Sequence, residues 1–565
     1  MPGFSINNFN EPIKLNNYDD SRCVQDQMDY KNYYIARNTL NKFMEDKLFF
    51  QNDENIVILE GVIFNKADMM HQFESWEAAM LSTIKKKSDE FFLDFRGMFS
   101  GAIYDKKKNE WIIFTDQLGE KAVFYYIEDG RIIVGSQLNY VTDTMKKLNI
   151  ARTIDEKAFE AFMMYGNFID DRTGIESVMR LYPGEYIKIS DKGECQVCSY
   201  YKAEVPVNEK ILPEEAIEQL DRAFKQSMQR AINKNSEYGY TNILDISGGL
   251  DSRIIAFTAK ALSMKNAIMI NYSQSKSDET KVAQIVANQL GYDFYYKSLD
   301  NASFMYEIDD ILKMNSGTAW YYGITGGKQF LETLDSKSGI EFTGILGDMH
   351  DGGMILNNYY ERPTFKYKPF RASKFVDFDI ESKALEKFKR NETFWFYTRG
   401  MIAGMSTFLT RQNFLEPFTP FGDVEFMEVY LSIPCKMRVD GCLMRRWLVS
   451  KYPIAGQIKY AATGISVTSE MTTVGQCVKY LLRYYRKFKR KILGLKTVDN
   501  MNPINYWIKT MPKLRLFMQT YFNETFKNMP SGTTKDYIGK LFNEGTNSDK
   551  LMAITLSGYY TNFIK

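Results

Sequence analysis

The period of apolar positions changes once along the chain. From Asn55 to about Tyr140, ENIVILEGVIFNK, GMFSGAIYDKKKNEWIIFTD and AVFYYIEDGRIIVGS are short β-branched and aromatic runs broken by polar turns such as DKKKNE and EDG. That pattern predicts an antiparallel meander. The stretch VPVNEKILP, Val205 to Pro213, reads as a linker. PEEAIEQLDRAFKQSMQRAI then has apolar residues at helical spacing after a proline start. Beyond it strands alternate with helices. TNILDIS predicts a strand, SRIIAFTAKAL a helix, NAIMINYS a strand, DETKVAQIVANQL a helix closed by Gly291, and DFYYKSL and IEFTGIL further strands. Such alternation implies a parallel sheet covered on both faces. From about Gly475 the pattern is helical and includes VKYLLRYYRKFKRKILGLK.

Length and composition narrow the class. A chain of 565 residues implies two or three domains. Its 44% hydrophobic and 25% charged residues are a globular composition. A formal net charge of +2 supplies no global field toward nucleic acid or an anionic membrane, so RYYRKFKRK reads as a solvated amphipathic helix. Cys195 and Cys198 form a C-x-x-C with no second pair near it, and the chain has two histidines, so a structural zinc site is not expected. The start, MPGFSINNFNEPIKLNN, lacks a signal-peptide pattern. No run of 18 apolar residues predicts a membrane span. These features lead to the expectation of a cytoplasmic protein with reduced thiols.

The chemistry concentrates in LDISGGLDSR, Leu244 to Arg253, where a buried strand gives way to a helix. In open α/β sheets, ligands collect at that edge. Glycines let backbone N–H groups approach a phosphate, and the helix N-terminus adds a favourable dipole. Ser247 and Ser252 offer hydroxyl donors, and Asp251 beside a phosphate calls for a Mg²⁺ between them. No Gly-Lys-Ser/Thr follows, so the loop is not a Walker A.

SGGLDSR resembles the pyrophosphate loop of the asparagine synthetase family, which uses ATP to adenylate a carboxylate. DETKVAQIVANQLG resembles that family's helix after the second strand. GILGDMHDGG resembles its acidic loop S-G-E-G-x-D-E-x-F-G-G, read with Leu346 for the serine, Asp348 for the glutamate, and Asp351 retained. LEPFTPFGDVEFMEVYLSIP resembles E-x-R-x-P-F-L-D, keeping Glu416, Pro420, Phe421 and Asp423. The N-terminal part is similar to a class II glutamine amidotransferase domain: GMFSGAIYDKKKNEWIIFTDQLGEKAVFYY matches G-M-F-A-F-A-x-Y-D and R-D-x-x-G-x-x-P-L-Y-Y, and GSQLNYV its terminal strand. The resemblance implies an α+β, Ntn-like sandwich of antiparallel sheets over 1–205. An α/β parallel-sheet PP-loop domain of the adenine nucleotide alpha hydrolase-like class would follow over 206–474, and a helical C-terminal extension over 475–565.

Departures from the pattern matter as much. The amidotransferase nucleophile is a cysteine at position 2, and here Pro2 has neither thiol nor primary amine. Glu60, in EGVIFN, stands where N-G-E-I-Y-N supplies an oxyanion-hole asparagine. No R-G-P-D is present, although Asp94 matches the residue that binds the substrate amine. Glutamine hydrolysis is therefore not expected, and the domain is read as a scaffold or gate. In the second half, Cys442 occupies the spacing of the lysine in K-x-x-L-R. Arg445, Arg446, Lys451 or Lys459 would supply the cation instead, with Arg446 the expected one.

The resulting expectation is an AMP-forming amide ligase using ATP and Mg²⁺. Ser247, Gly248, Gly249 and Ser252 cradle the phosphates. Asp251 and Asp351 hold the metal, and Ile246, Ile270, Leu346 and Gly347 flank adenosine. Glu416 orients or deprotonates the amine. His350 is either a general base near neutral pH or a loop histidine without chemistry. The amine is ammonia or a group within the substrate, as in the β-lactam synthetase and lasso-peptide cyclase relatives that also lost the cysteine. A nucleotide-binding scaffold is the competing reading. The carboxylate stays open, as does the assembly, a homodimer included.

Overall fold

A computed structural model describes residues 2–9, 12, 15, 19–323, 327–350, 360–365, 371–492 and 501–565. The runs read as strands between 55 and 135 are strands, but they do not form one meander. Asn55–Ile63, Gly97–Asp105 and Glu110–Thr115 lie in one six-stranded antiparallel sheet, with Leu48–Gln51, Glu185–Ser190 and Cys195–Ser199. Phe124–Glu128 and Arg131–Gly135 lie in a second, with Gly3–Asn7, Cys23–Tyr30, Tyr33–Leu40 and Val178–Arg180. The chain changes sheets at Asp116. Its buried carboxylate accepts from the N–H groups of Leu118, Glu120 and Lys121, each at 3.0 Å, and so ties a turn that no hydrophobic pattern announces.

The inner faces of the two sheets meet through Phe4, Ile6, Ile35 and Val134 on one side and Ile56, Ile58, Trp111 and Ile187 on the other. Helix Trp76–Lys87 and Phe91, Phe92 and Phe95 cover one outer face. Helix Leu138–Lys147 covers the other, giving a four-layer sandwich. This is the antiparallel, helix-flanked N-terminal architecture expected.

Residues 201–212 form no regular structure, and helix α1 (Pro213–Glu237) then starts with proline in its first turn. Five parallel strands follow: β1 (Thr241–Asp245), β2 (Ala267–Ser273), β3 (Asp293–Ser298), β4 (Ser338–Phe342) and β5 (Glu416–Phe418). Helix α2 (Asp251–Ala261) connects β1 to β2, and α3 (Asp278–Leu290) connects β2 to β3. The Ser277 hydroxyl caps α3 by accepting from the Thr280 N–H at 3.3 Å, and Gly291 ends the helix.

Successive residues of β1 point to opposite apolar layers. Leu244 packs with α1 and α2, while Ile243 packs with Met314, Phe330 and Leu415. Both faces are therefore dry, as a parallel sheet requires. The sheet order is β3-β2-β1-β4-β5. Its direction of winding reverses between β1 and β4, and a crevice opens there beyond the carboxyl ends of the strands.

Buried ion pairs join the two halves. Lys121 reaches Glu416 at 2.6 Å, and Asp46 accepts from Lys234 at 3.2 Å and from the Tyr238 hydroxyl at 2.8 Å. The C-terminal helix Asn547–Tyr559 packs against helix Glu156–Tyr165 and against Ile308–Met314. The Tyr559 hydroxyl accepts from the Gly174 N–H at 2.9 Å. No described helix is long and apolar enough to cross a membrane.

Candidate active site

At the β1/β4 reversal lies a cavity of about 440 Å³, within the range of small-molecule sites. Two loops, the segment from Asn315 to Gly323 and one widened helix build it. The first loop, Ile246–Leu250, is held from within. The Ser247 N–H donates to the Ser252 hydroxyl at 3.0 Å, the two hydroxyls lie 2.9 Å apart, and the Gly249 N–H donates to the Ser247 hydroxyl at 3.1 Å. The Gly248 N–H donates to the Glu279 carboxylate at the start of α3. Burial raises that carboxyl above its usual range, and the Gly248 donor opposes the rise.

Arg253, fully buried, donates to the carbonyls of Ala455 at 3.1 Å, Ile458 at 2.9 Å and Lys459 at 2.8 Å. It thereby draws the chain from 455 to 461 along the first loop. Ala461 donates to the Gly248 carbonyl at 3.2 Å, and a Cβ on Gly248 would lie 2.4 Å from the Ala461 Cβ. Only glycine fits that approach. The final arginine of SGGLDSR thus shapes the loop; the sequence reading had given it no role.

The second loop follows β4. Thr343, Gly344, Ile345, Leu346, Asp348 and Met349 line the cavity. Leu346 sits at φ 70°, a backbone region that favours glycine. This conformation corrects the register of the acidic loop. Aligned without a gap, Thr343, Gly344, Leu346 and Asp348 take the first serine, the two glycines and the aspartate of S-G-E-G-x-D. The positive φ falls where that pattern has glycine, and Met349 replaces its second glutamate. Asp348 is then the aspartate of the motif. Asp351, assigned to the metal on the other register, lies outside the described residues. A Cβ on Gly347 would lie 2.2 Å from the Asp251 Cγ, so glycine there lets the two loops close on each other.

The helical segment Phe396–Gly404 is widened to a π-helix, and the Met405 N–H donates to the Gly400 carbonyl five residues back. It presents Arg399, Gly400, Ala403 and Gly404 to the cavity. Arg399 opposes the rise that burial imposes on the Asp348 carboxyl. At the floor, Arg411 donates to Asp245 at 3.0 Å and also to Glu341 and the Tyr272 hydroxyl. Burial holds the Glu341 carboxyl well above its usual range, while Arg411 pulls it back.

Of the residues expected from sequence, Ile246, Ser247, Asp251, Ser252, Ile270 and Leu346 line one cavity. Gly248, Gly249 and Gly347 supply the adjoining backbone. Three others do not come together there. Glu416 points from β5 to the domain seam, buried against Lys121. His350 is enclosed by Phe396, Phe421, Phe426 and Tyr430, with its Nδ1 at 2.7 Å from the Leu346 carbonyl. Burial pushes its pKa down to about 3, so it is a neutral core side chain and not a base near neutral pH. Arg446 is exposed on helix Cys442–Lys451 and does not line the cavity. The cations the cavity contains are Arg399 and Arg411, from a segment with no match to the quoted motifs.

Among the described residues no group of three His, Cys, Asp or Glu forms a metal cage. Three carboxylates line the same cavity: Asp245, which is paired with Arg411, together with Asp251 and Asp348. That donor set fits Mg²⁺, which binds through one or two carboxylates together with substrate phosphates and water.

A glutamine amidotransferase domain matches residues 42–201 and an asparagine synthase domain matches residues 219–378. The chain belongs to the asparagine synthetase family. It is 24% identical over 278 residues to a Methanocaldococcus jannaschii protein assigned as a glutamine-hydrolysing asparagine synthetase, covering 45% of this chain and 52% of that protein. Against a Bacillus subtilis asparagine synthetase the figures are 22%, 47% and 42%, and against asparagine synthetase B of Escherichia coli they are 25%, 43% and 42%. The matched region thus spans about half the length of these relatives or less. A solved Bacillus subtilis glutamine phosphoribosylpyrophosphate amidotransferase aligns at 11% identity and a TM-score of 0.21, covering 48% of this chain and 77% of that one; this likeness carries no weight in the assignment.

Within this family the amidotransferase half has unusual groups at the positions of its chemistry. Pro2 is buried beside the first strand. Glu60 is buried, accepts from the Thr39 hydroxyl at 2.5 Å and lies 3.8 Å from Arg37.

Proposed function

We propose that this asparagine synthetase family member is an ATP-dependent, AMP-forming amide ligase without glutaminase activity of its own. The observation that carries the reading is the convergence of the Ser247–Ser252 loop, Asp251 and Asp348 on one cavity at the sheet's reversal. Adenosine lies between Ile246, Ile270 and Leu346. The Ser247 and Ser252 hydroxyls hold phosphate oxygens, on a loop kept in shape by its own N–H donors. Asp251 and Asp348 hold Mg²⁺, which offsets phosphate charge when bound.

A substrate carboxylate oxygen attacks the α-phosphorus of ATP, the bond to the β-phosphate oxygen breaks, and pyrophosphate leaves. An amine nitrogen then attacks the acyl carbon of the acyl-adenylate, AMP departs and the nitrogen loses a proton. Arg399, in electrostatic contact with Asp348, supplies the positive charge that the family lysine would have given. The base for the amine stays unassigned, because Glu416 and His350 lie elsewhere. Pro2 and Glu60 support loss of glutamine chemistry, so the amine is ammonia or a group on the substrate. The N-terminal half then serves as a scaffold for the synthetase half, to which Lys121 and Asp46 fasten it.

One observation favours a nucleotide-binding scaffold instead: Met349 stands where the motif has its second glutamate. Exchange of labelled pyrophosphate into ATP, across a panel of carboxylic acids, separates the two. Exchange with one acid, abolished in Asp251→Asn, supports the ligase. Silence across the panel with magnesium-dependent ATP binding supports the scaffold. No magnesium-dependent ATP uptake would sink both.

A further inference from the structure

Helix Thr473–Ile492 holds a group of residues that the ligase reading leaves unused. It has seven Lys or Arg and no Asp or Glu, in a chain whose net charge is only +2. Val474, Val478, Leu481, Leu482, Tyr485 and Phe488 recur at i, i+4, i+7, i+8, i+11 and i+14, which places them on one face. Lys479, Arg483 and Lys487, at i, i+4 and i+8, lie on the opposite face.

The sequence alone suggests a solvated amphipathic helix, and the apolar face of such a helix ordinarily meets the core. The structure does not place it so. Val474 is 73% exposed, Leu481 69%, Tyr485 59% and Phe488 63%. Among the described residues, the contacts that tie the helix to the body lie at its base. Gln476 donates to the Glu470 carbonyl at 2.5 Å, Lys479 reaches the Glu470 carboxylate at 3.5 Å, and the Gly475 N–H donates to the Thr472 hydroxyl at 3.0 Å. Tyr480 and Tyr484 are 57% and 70% exposed, so an aromatic flank adjoins the apolar stripe. An exposed apolar face of this extent marks an interaction surface.

We infer that this helix is a docking surface for an anionic lipid bilayer, lying in the plane of the interface. The charge pattern decides the occupant. Lying flat, the helix puts Leu481, Tyr485 and Phe488 among the acyl chains, while Arg483 and Lys487 extend upward to anionic headgroups. A nucleic acid would engage the basic face and leave the apolar stripe in water. A second copy paired through the apolar stripes would bring two sets of seven positive charges together. A bilayer with acidic lipids satisfies both faces at once. Twenty residues reach roughly 30 Å as a helix, enough to span, but seven cationic residues exclude a spanning orientation.

The test uses the full chain and co-sedimentation with vesicles of phosphatidylcholine alone or with about one third phosphatidylglycerol. Binding is expected to the mixed vesicles, to be weak on phosphatidylcholine, and to fall as salt rises to about 0.5 M. Arg483→Gln/Lys487→Gln should weaken it roughly thirtyfold, at about fivefold per charge. Leu481→Glu/Phe488→Glu should weaken it at least about tenfold. Both variants should keep the wild-type unfolding temperature, because the altered side chains are exposed or half-buried. The inference is overturned if the wild type ignores mixed vesicles at low salt, or if both variants bind like the wild type. A gel shift with a short single-stranded RNA in the absence of vesicle binding would overturn it, as would a dimer abolished by Leu481→Glu/Phe488→Glu in a protein that ignores vesicles.

Discussion

Replacing Arg411 with leucine would leave two carboxyls, Asp245 and Glu341, without the cation between them. In the native protein one guanidinium donates to both and to the Tyr272 hydroxyl, with Arg411 and Glu341 essentially out of contact with solvent. Removing one partner of a buried ion pair costs about 3–5 kcal/mol. The cost depends on pH, and its sign follows from Glu341. Burial already holds its folded-state pKa well above the ordinary 4.5, with Arg411 pulling it down. Without Arg411 it rises further. A carboxyl with a raised folded pKa stabilises the fold fully below its unfolded pKa and loses that contribution as pH rises through the folded value. The penalty in Arg411→Leu should therefore be small near pH 5 and approach the full 3–5 kcal/mol, as an order of magnitude, near pH 8. At about 2–4 °C per kcal/mol for a domain of this size, the unfolding midpoint should drop by roughly 10 °C at pH 8 and by less than about half of that at pH 5. Glu341→Gln in the same chain should recover part of the loss by removing one stranded charge. Scanning calorimetry across pH checks this. A drop under about 2 °C at pH 8, or one independent of pH, would refute the assignment of Arg411 as the counter-ion of the cavity floor.

Three further outcomes follow from the two loops and the domain seam. Gly347→Ala drives a methyl group into Asp251, 2.2 Å from its Cγ, and should slow pyrophosphate exchange about a hundredfold; unchanged exchange would show that the loops separate freely. Glu279→Ala releases the Gly248 N–H and should weaken Mg-ATP about tenfold, the worth of one charge-assisted hydrogen bond, as read by titration calorimetry; equal affinity would remove the carboxylate from the loop's support. Glu416→Gln breaks the buried pair with Lys121 and should cost about 3 kcal/mol of stability while pyrophosphate exchange persists in the folded fraction. Loss of exchange in protein that stays folded would return Glu416 to the chemistry.

The element pattern was legible because each predicted segment repeats at a local period. β1, α2, β2, α3 and β3 fall on the quoted runs, and helix α1 begins at its proline. The loop SGGLDSR was legible for another reason: its glycines, hydroxyls and carboxylate are contiguous, so one turn brings them together. The register of the acidic loop was not. A gap looked acceptable as letters, and only the positive φ at Leu346 shows which residue stands in the glycine position. His350 and Glu416 misled because a titratable side chain near a motif carries no mark of what surrounds it. One is walled in by four aromatic rings, the other neutralised across a domain seam by a residue 295 positions away.

Local features, then, were determined by the sequence alone: the alternation of strand and helix, and the contiguous glycines, hydroxyls and carboxylate of SGGLDSR. Tertiary structure decided what long-range packing controls. It divided the N-terminal strands between two sheets at Asp116, selected Asp348, Arg399 and Arg411 for the cavity, and left the apolar face of Thr473–Ile492 uncovered. The division has one physical cause. Hydrogen bonds within a turn and the side-chain period of an element depend on residues a few positions apart, whereas burial and charge pairing depend on which distant segments the fold brings together.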